Sequence, residues 1–207
     1  MAILLELFSG TGSVGHVFRN RGWEVVSLDV LMPADIKTDI LEWDYKEAYP
    51  TGHFTMIWAS PPCTEYSKAK TVGTRRIEEA NTIVQKTLEI IDYFMPYYWV
   101  IENPQTGLLK SQPFMNNLTF QDIDYCKYGM PYRKRTRLWN NIFHWWARPL
   151  CKKDCNSMDE TGRKHKQVAQ QSPQGTTADW GDKHKFKRSE LYKIPFELID
   201  EIFNAVD

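Results

Sequence analysis

Only four cysteines occur in 207 residues, at 63, 126, 151 and 155. So few thiols, three of them in the second half, exclude a disulfide framework and point to a reducing, intracellular and soluble setting, cytoplasmic or in the nucleoid or nucleus. Long apolar runs are missing too. No stretch approaches the roughly 20 residues of a membrane-spanning helix, and the opening residues do not read as a signal peptide, so no membrane partner is expected. Net charge is likewise absent, because 26 basic and 26 acidic side chains cancel. Any affinity for nucleic acid must then reside in local patches, and two are visible: Arg133-Lys134-Arg135-Thr136-Arg137 and residues 183 to 188. There is no internal repeat.

What the chain does have is 42% hydrophobic and 14% aromatic content, enough for one folded domain with a sizeable core. Strand-like runs at residues 2 to 8, 24 to 29, 54 to 60 and 98 to 102 alternate with helix-like segments at 13 to 21 and 76 to 94. The second helix carries Ala80, Ile83, Val84, Thr87, Leu88 and Ile91 along one stripe. Such alternation predicts an α/β fold with a mostly parallel sheet, whose ligands sit beyond the carboxyl ends of the strands. Residues 122 to 128 and 137 to 143 are expected to form a terminal antiparallel hairpin around Pro131. Three regions follow: a main domain over 1 to 147, an irregular polar insertion over 148 to 188, and a terminal segment over 189 to 207. Pro195, Leu198, Ile199, Ile202, Phe203 and Val206 give that last segment the spacing of a docked amphipathic helix.

Chemistry-bearing residues fall at the predicted strand ends. Gly10-x-Gly12-x-x-Gly15 opens the first helix, and Asp29 ends the second strand where ribose hydroxyls would be met. That combination suits either NAD or S-adenosylmethionine. In "ASPPCTEYS", Pro61-Pro62 stiffens the chain just before Cys63, so a thiol is held at the ligand edge of the sheet. "WVIENP" ends the next strand with Glu102 and Asn103, a carboxyl and an amide able to meet the Watson-Crick edge of a base. "YGMPYRKRTRLW" then supplies closely spaced arginines.

The order of "ELFSGTG", "SPPC", "IENP" and "YGMPYRKRTR" resembles the DNA cytosine-5 methyltransferase family, across residues 3 to 140. The resemblance implies a Rossmann-like S-adenosylmethionine-dependent methyltransferase fold, with S-adenosylmethionine as cofactor and DNA as partner. Phe8, Ser9, Gly10, Thr11, Gly12, Asp29, Asp39 and Pro61 would bind the cofactor, Phe8 against its adenine. Cytosine C5 is too weak a nucleophile to take a methyl group unaided, so the family adds a thiolate to C6, which implies Cys63 as nucleophile. Glu102, as a protonated acid at N3, would lower the barrier to that addition. Arg135 and Arg137 would correspond to the family's two motif arginines, near the base O2 and its phosphate, and arginines of the 133 to 137 cluster would supply the cationic environment that activates Cys63. Asn103, Ser67 and Arg133 would contact substrate. One residue is extra here, since Tyr132 and Arg133 together stand where the family has a Gln.

The family's large target-recognition region is missing. About 45 residues separate Phe143 from Arg188, which implies short or relaxed sequence specificity or a protein partner for target recognition. A small reader also leaves room for RNA, single-stranded nucleic acid or a free nucleotide as substrate, and for a catalytically silent binding subunit. Cys151-x3-Cys155 with His165 resembles part of a zinc site, with Cys126 or His184 as a fourth ligand. Reduced cysteines without metal in a polar insertion are the expectation. Trp139, Trp145, Trp146 and Trp180 could stack on bases, with core packing expected for most of them.

Overall fold

The computed structural model describes residues 1–169, 186 and 188–207. Most of the 183 to 188 basic patch, His184 and Trp180 lie outside the described residues.

Short apolar runs become strands that side chains cover on both faces. They are β1 (Ile3–Leu7), β2 (Glu24–Leu28), β3 (Met56–Ala59) and β4 (Tyr98–Pro104), with α1 (Ser13–Asn20) and α3 (Ile77–Phe94) in the crossovers and a single turn, α2 (Tyr45–Ala48), before β3. All four pair in parallel, in the spatial order β2-β1-β3-β4. β7 (Arg135–Asn140) then adds antiparallel to β4, and β5 (Phe120–Asp124) antiparallel to β7. The expected hairpin is therefore present with shifted bounds, because Tyr125–Tyr128 coils into a 3-10 turn ending at Gly129, where φ is 84°.

Alternation along the strands sorts the core into two layers. Leu4, Met56, Trp58, Val100 and Leu138 face one side, where α1 and α5 (Phe196–Val206) pack Phe18, Leu198, Ile202 and Phe203. Leu5, Ile57, Ala59, Ile101 and Trp139 face the other, against Val84, Ile90, Ile91 and Phe94 of α3. The predicted α3 stripe is rotated slightly, since Ile90 and Phe94 are fully buried while Ile83 and Leu88 are only partly so. The terminal helix docks as expected. Phe203 sits edge-on to Phe18 at 5.1 Å, and Trp23 donates its indole N–H to Asp207.

The polar insertion contributes to a second, two-stranded sheet. Its one described strand, β8 (Gln167–Val168), pairs in parallel with β6 (Tyr132–Arg133), and α4 (Arg188–Tyr192) leads into α5. Among the described residues no helix is long and apolar enough to cross a membrane.

Beneath the first glycine loop lies a charge that sequence reading passed over. Glu6, buried in β1, accepts the Gly15 backbone N–H at 3.0 Å, and a Cβ at residue 15 would come within 2.5 Å of that same oxygen. Burial pushes the Glu6 carboxyl up to about 7, although the N–H groups of Gly15 and Val14 and the Arg19 charge pull it down. An acid whose folded pKa exceeds its unfolded value stabilises the fold fully below the unfolded value and loses that contribution as pH rises through the folded one. Glu6→Gln removes the titration. Relative to wild type the variant should gain stability between about pH 5 and about pH 8, on the order of 3 kcal/mol at the alkaline end. Urea melts that give the same difference at both pH values would contradict this.

Candidate active site

The carboxyl ends of β1, β2, β3 and β4 converge, as parallel pairing requires. After β1 the chain turns sharply, with Phe8, Gly10 and Gly12 at φ of 57°, 53° and 67°. A left-handed Phe is costly by about 1–3 kcal/mol and persists only where surroundings enforce it. Asp29 supplies part of that enforcement: one carboxylate oxygen accepts the Gly10 N–H at 2.9 Å, and the other accepts those of Leu31 and Met32, both at 2.8 Å. Asp29 thus clamps the glycine loop to the turn after β2. Ser9 is buried in this loop, and its hydroxyl has no hydrogen-bond partner among the described residues. Asp39 is exposed nearby in sequence and accepts the Leu41 N–H, while Leu31 leaves 81% of its surface open.

After β3, Ser60 is fixed by its N–H to Leu7 and by the Trp58 indole N–H to its hydroxyl. Cys63 follows, partly buried. The chain beyond it is tied down by Arg75, which donates to the carbonyls of Glu65, Ser67 and Lys70, and by the Glu65–Lys70 ion pair. Ser67 sits in this turn, its hydroxyl accepting the Ala69 N–H.

At the end of β4, Glu102 and Asn103 point to opposite faces. Asn103 was expected to meet a base, but it is fully buried and donates Nδ2 to the Pro61 carbonyl at 2.9 Å. The geometry makes it a positioning residue for the Pro-Pro-Cys loop. Glu102 is 6% exposed, and its Oε1 accepts the Tyr125 hydroxyl at 3.1 Å and lies 3.9 Å from Lys134 Nζ. Lys134 also rests on the Tyr125 ring and donates to the Leu191 carbonyl. Burial holds the Tyr125 hydroxyl well above its ordinary pKa, reinforced by the Glu102 charge, so it stays a donor. Cys63 belongs to the same cluster. Burial pushes its thiol up, the Glu102 charge adds to this, and Lys134 pulls partly back.

The arginines are elsewhere. The β4–β7 register sets Glu102 opposite Leu138 and Asn103 opposite Arg137. Directly opposed residues share a face, so Arg135 and Arg137 lie on the Asn103 side of the sheet, away from Glu102. Each is spent on a cross-strand carboxylate: Arg137 forks onto Asp122 at 2.7 and 3.0 Å, and Arg135 onto Asp124 at 3.0 and 2.8 Å. Arg133 adds a further bond to Asp124 at 3.1 Å. Burial would raise the Asp124 carboxyl, but Arg135, Arg133 and the Cys151 N–H together hold it below the usual range. The expectation that Arg135 and Arg137 join Cys63 and Glu102 is corrected, because Lys134, the residue before Arg135, is the cation that reaches them.

Two tryptophans of the expected stacking set, Trp139 and Trp145, are core residues, whereas Trp146 is exposed. The cysteines were expected to be reduced and without metal, with Cys151, Cys155 and His165 as part of a zinc candidate and Cys126 or His184 as its fourth ligand. Cys126, Cys151, Cys155 and His165 bring their ligand atoms within 4.8 Å of one another.

Solved structures with this arrangement of elements exist. The chain superposes on S. pombe Dnmt2 methyltransferase with a TM-score of 0.52 and 17% identity, over 71% of this chain and 53% of that one. It superposes on a prophage-encoded E. coli protein, described as a DNA modification methyltransferase, with a TM-score of 0.51 and 15% identity, over 68% of this chain and 46% of that one. The match thus spans about half the length of each solved chain. The chain shares the fold of these two methyltransferases. No protein-family model matches the chain. A protein of Frog virus 3 (isolate Goorha), named a probable DNA (cytosine-5)-methyltransferase, is 32% identical over 219 residues, covering 97% of this chain and 98% of its own. The chain belongs to the DNA (cytosine-5) methyltransferase family.

The electrostatic cluster yields a direct test in the free protein. Glu102→Gln removes the negative neighbour, so Cys63 should be alkylated by iodoacetamide faster than wild type at about pH 7, and Lys134→Met should slow it. Unchanged rates in both variants would separate the three groups.

Proposed function

We propose that the chain transfers a methyl group from S-adenosylmethionine to C5 of cytosine in DNA, through a covalent bond between Cys63 and C6. The observation that carries this reading is the grouping of Cys63, Glu102 and Lys134 beside the glycine loop, at one edge of the sheet. Membership of the family supports it.

Glu6 supports the choice of cofactor. In a dinucleotide site the N–H groups at the start of the helix face a pyrophosphate. Here those of Val14 and Gly15 face the Glu6 carboxylate, which suits a ligand without phosphate. The loop fits S-adenosylmethionine: it offers a buried Ser9 hydroxyl with no partner among the described residues, backbone free of Cβ at Gly10 and Gly12, and apolar Phe8 and Leu31. Ser9, Gly10, Thr11, Gly12 and Pro61 would hold the amino-acid portion, with Phe8, Asp29 and Asp39 at the nucleoside. The group supplies an electrophilic methyl carbon on a sulfonium.

Cys63 is held back until a base arrives, because Glu102 and burial both raise its thiol. Cytosine N3 is a hydrogen-bond acceptor, so it pairs with Glu102 in the protonated form: the Cys63 thiol proton passes to the Glu102 carboxylate, whose repulsion is lost while Lys134 remains, and the thiolate forms when its target is in place. The thiolate adds to C6, the displaced electron pair passes toward N3, and Glu102 delivers a proton there. C5 of the resulting enamine is then the nucleophile for the methyl group that the cofactor, held by the glycine loop, would supply, its sulfonium carbon–sulfur bond breaking to leave a neutral thioether. Loss of the C5 proton to a bound water expels the Cys63 thiolate, restores the C5–C6 double bond and returns the N3 proton to Glu102. Tyr125 and Lys134 hold Glu102 in place. A cytosine within a duplex would have to leave the stack, at a few kcal/mol. The small recognition segment matches a short or relaxed target sequence.

Labelled methyl transfer to duplex DNA, single-stranded DNA and RNA, with nucleoside analysis, tests the proposal. The product expected is 5-methylcytosine in DNA, reduced by more than about 10³-fold in Cys63→Ala. Label confined to RNA would change the substrate, and full activity in Cys63→Ala would overturn the mechanism.

A further inference from the structure

We infer that Cys126, Cys151, Cys155 and His165 form a structural zinc site that fastens the polar insertion to the sheet. Their ligand atoms lie within 4.8 Å of one another, and Cys151 Sγ stands 3.5 Å from His165 Nε2. A tetrahedral zinc with S and N ligands at ordinary bond lengths sets that separation at about 3.6 Å. Three thiolates and one imidazole complete four-coordination with protein alone, as in structural sites that leave no position open for substrate.

The surroundings are built for the same purpose. Backbone N–H groups of Lys153 and Asp154 donate to the Cys151 sulfur, and Lys153 adopts a φ of 69° to turn them inward. Hydrogen bonds of this kind orient metal-bound ligands. Asp154 is in turn paired with Lys127, the neighbour of Cys126, at 3.1 Å. His165 is delivered by a small hairpin in which Asp159 N–H donates to Lys164 O and Lys166 N–H to Ser157 O, both at 2.8 Å. Cys126 comes from the 3-10 turn after β5, so the metal would join three separate stretches of chain. Polar residues dominate 148 to 169, which gives this segment little apolar surface of its own to bury.

The clip also reaches the arginine strand. Cys151 N–H donates to Asp124 Oδ2 at 3.0 Å, the carboxylate that receives Arg133 and Arg135. Metal at the cluster would therefore fix the insertion against β5 and β7, independently of the reaction the protein performs.

The test is metal analysis of the full chain, purified under reducing conditions without chelator and dialysed extensively. About one zinc per chain is expected, replaceable by Co(II) with the intense visible bands of a tetrahedral thiolate complex. Cys155→Ser and His165→Ala should lower the metal content about tenfold or more, and His144→Ala should leave it unchanged. Should the ligand variants fail to fold, wild type still decides: titrating its thiols with a mercurial should release the zinc stoichiometrically. Below about 0.1 metal per chain with all four thiols reduced, and no Co(II) spectrum on addition of the ion, the site is refuted.

Discussion

Successive residues on a strand point to opposite faces, and at the end of β4 this rule governs the whole site. Glu102 turns toward the α1 and α5 side, where Tyr125 and Lys134 receive it. Asn103 turns toward the α3 side and holds the Pro61 carbonyl. One dipeptide thereby places both the acid and the loop that carries the nucleophile. Neither position depends on a flexible surface segment, since both side chains are buried.

A second theme is the internal use of charge. Acidic and basic side chains are equal in number, and several of them are paired inside the site region. Asp122 and Asp124 absorb three arginines, Asp29 absorbs three backbone donors, and Glu6 absorbs the start of α1. Lys134 is the basic residue of its run that is directed at Glu102. Fully paired carboxylates of this kind rigidify a loop, whereas an unpaired one would be costly at the same depth.

Much of this was legible in the chain. Parallel strands covered on both faces read as short apolar runs, and the turn residues Ser-Gly, Pro-Pro and Asn-Pro mark their ends, so Phe8, Cys63 and Glu102 could be placed at one edge. The arginine assignment failed for a physical reason: strand period is two, so a one-residue difference in the basic run moves every side chain to the other face. Sequence alone does not fix that register. Glu6 was passed over because a lone acid in an apolar strand gives no sign of the helix N–H groups above it. The four-ligand cluster was legible only in part: Cys151, Cys155 and His165 stood out, but Cys126 fell in an expected strand and was one of two candidates for the fourth ligand, and its 3-10 turn is what brings its thiol to the other three.

The central claim is that Cys63 becomes a nucleophile toward cytosine C6 when Glu102 engages the base. It is tested most directly by incubating the protein and cofactor with DNA containing 5-fluorocytosine, in which no C5 proton is available for release and the adduct cannot collapse. The account predicts a denaturation-resistant complex whose mass localises to the peptide bearing Cys63, formed much more slowly by Glu102→Gln. An adduct on another residue, or none with DNA that is demonstrably bound, would contradict it.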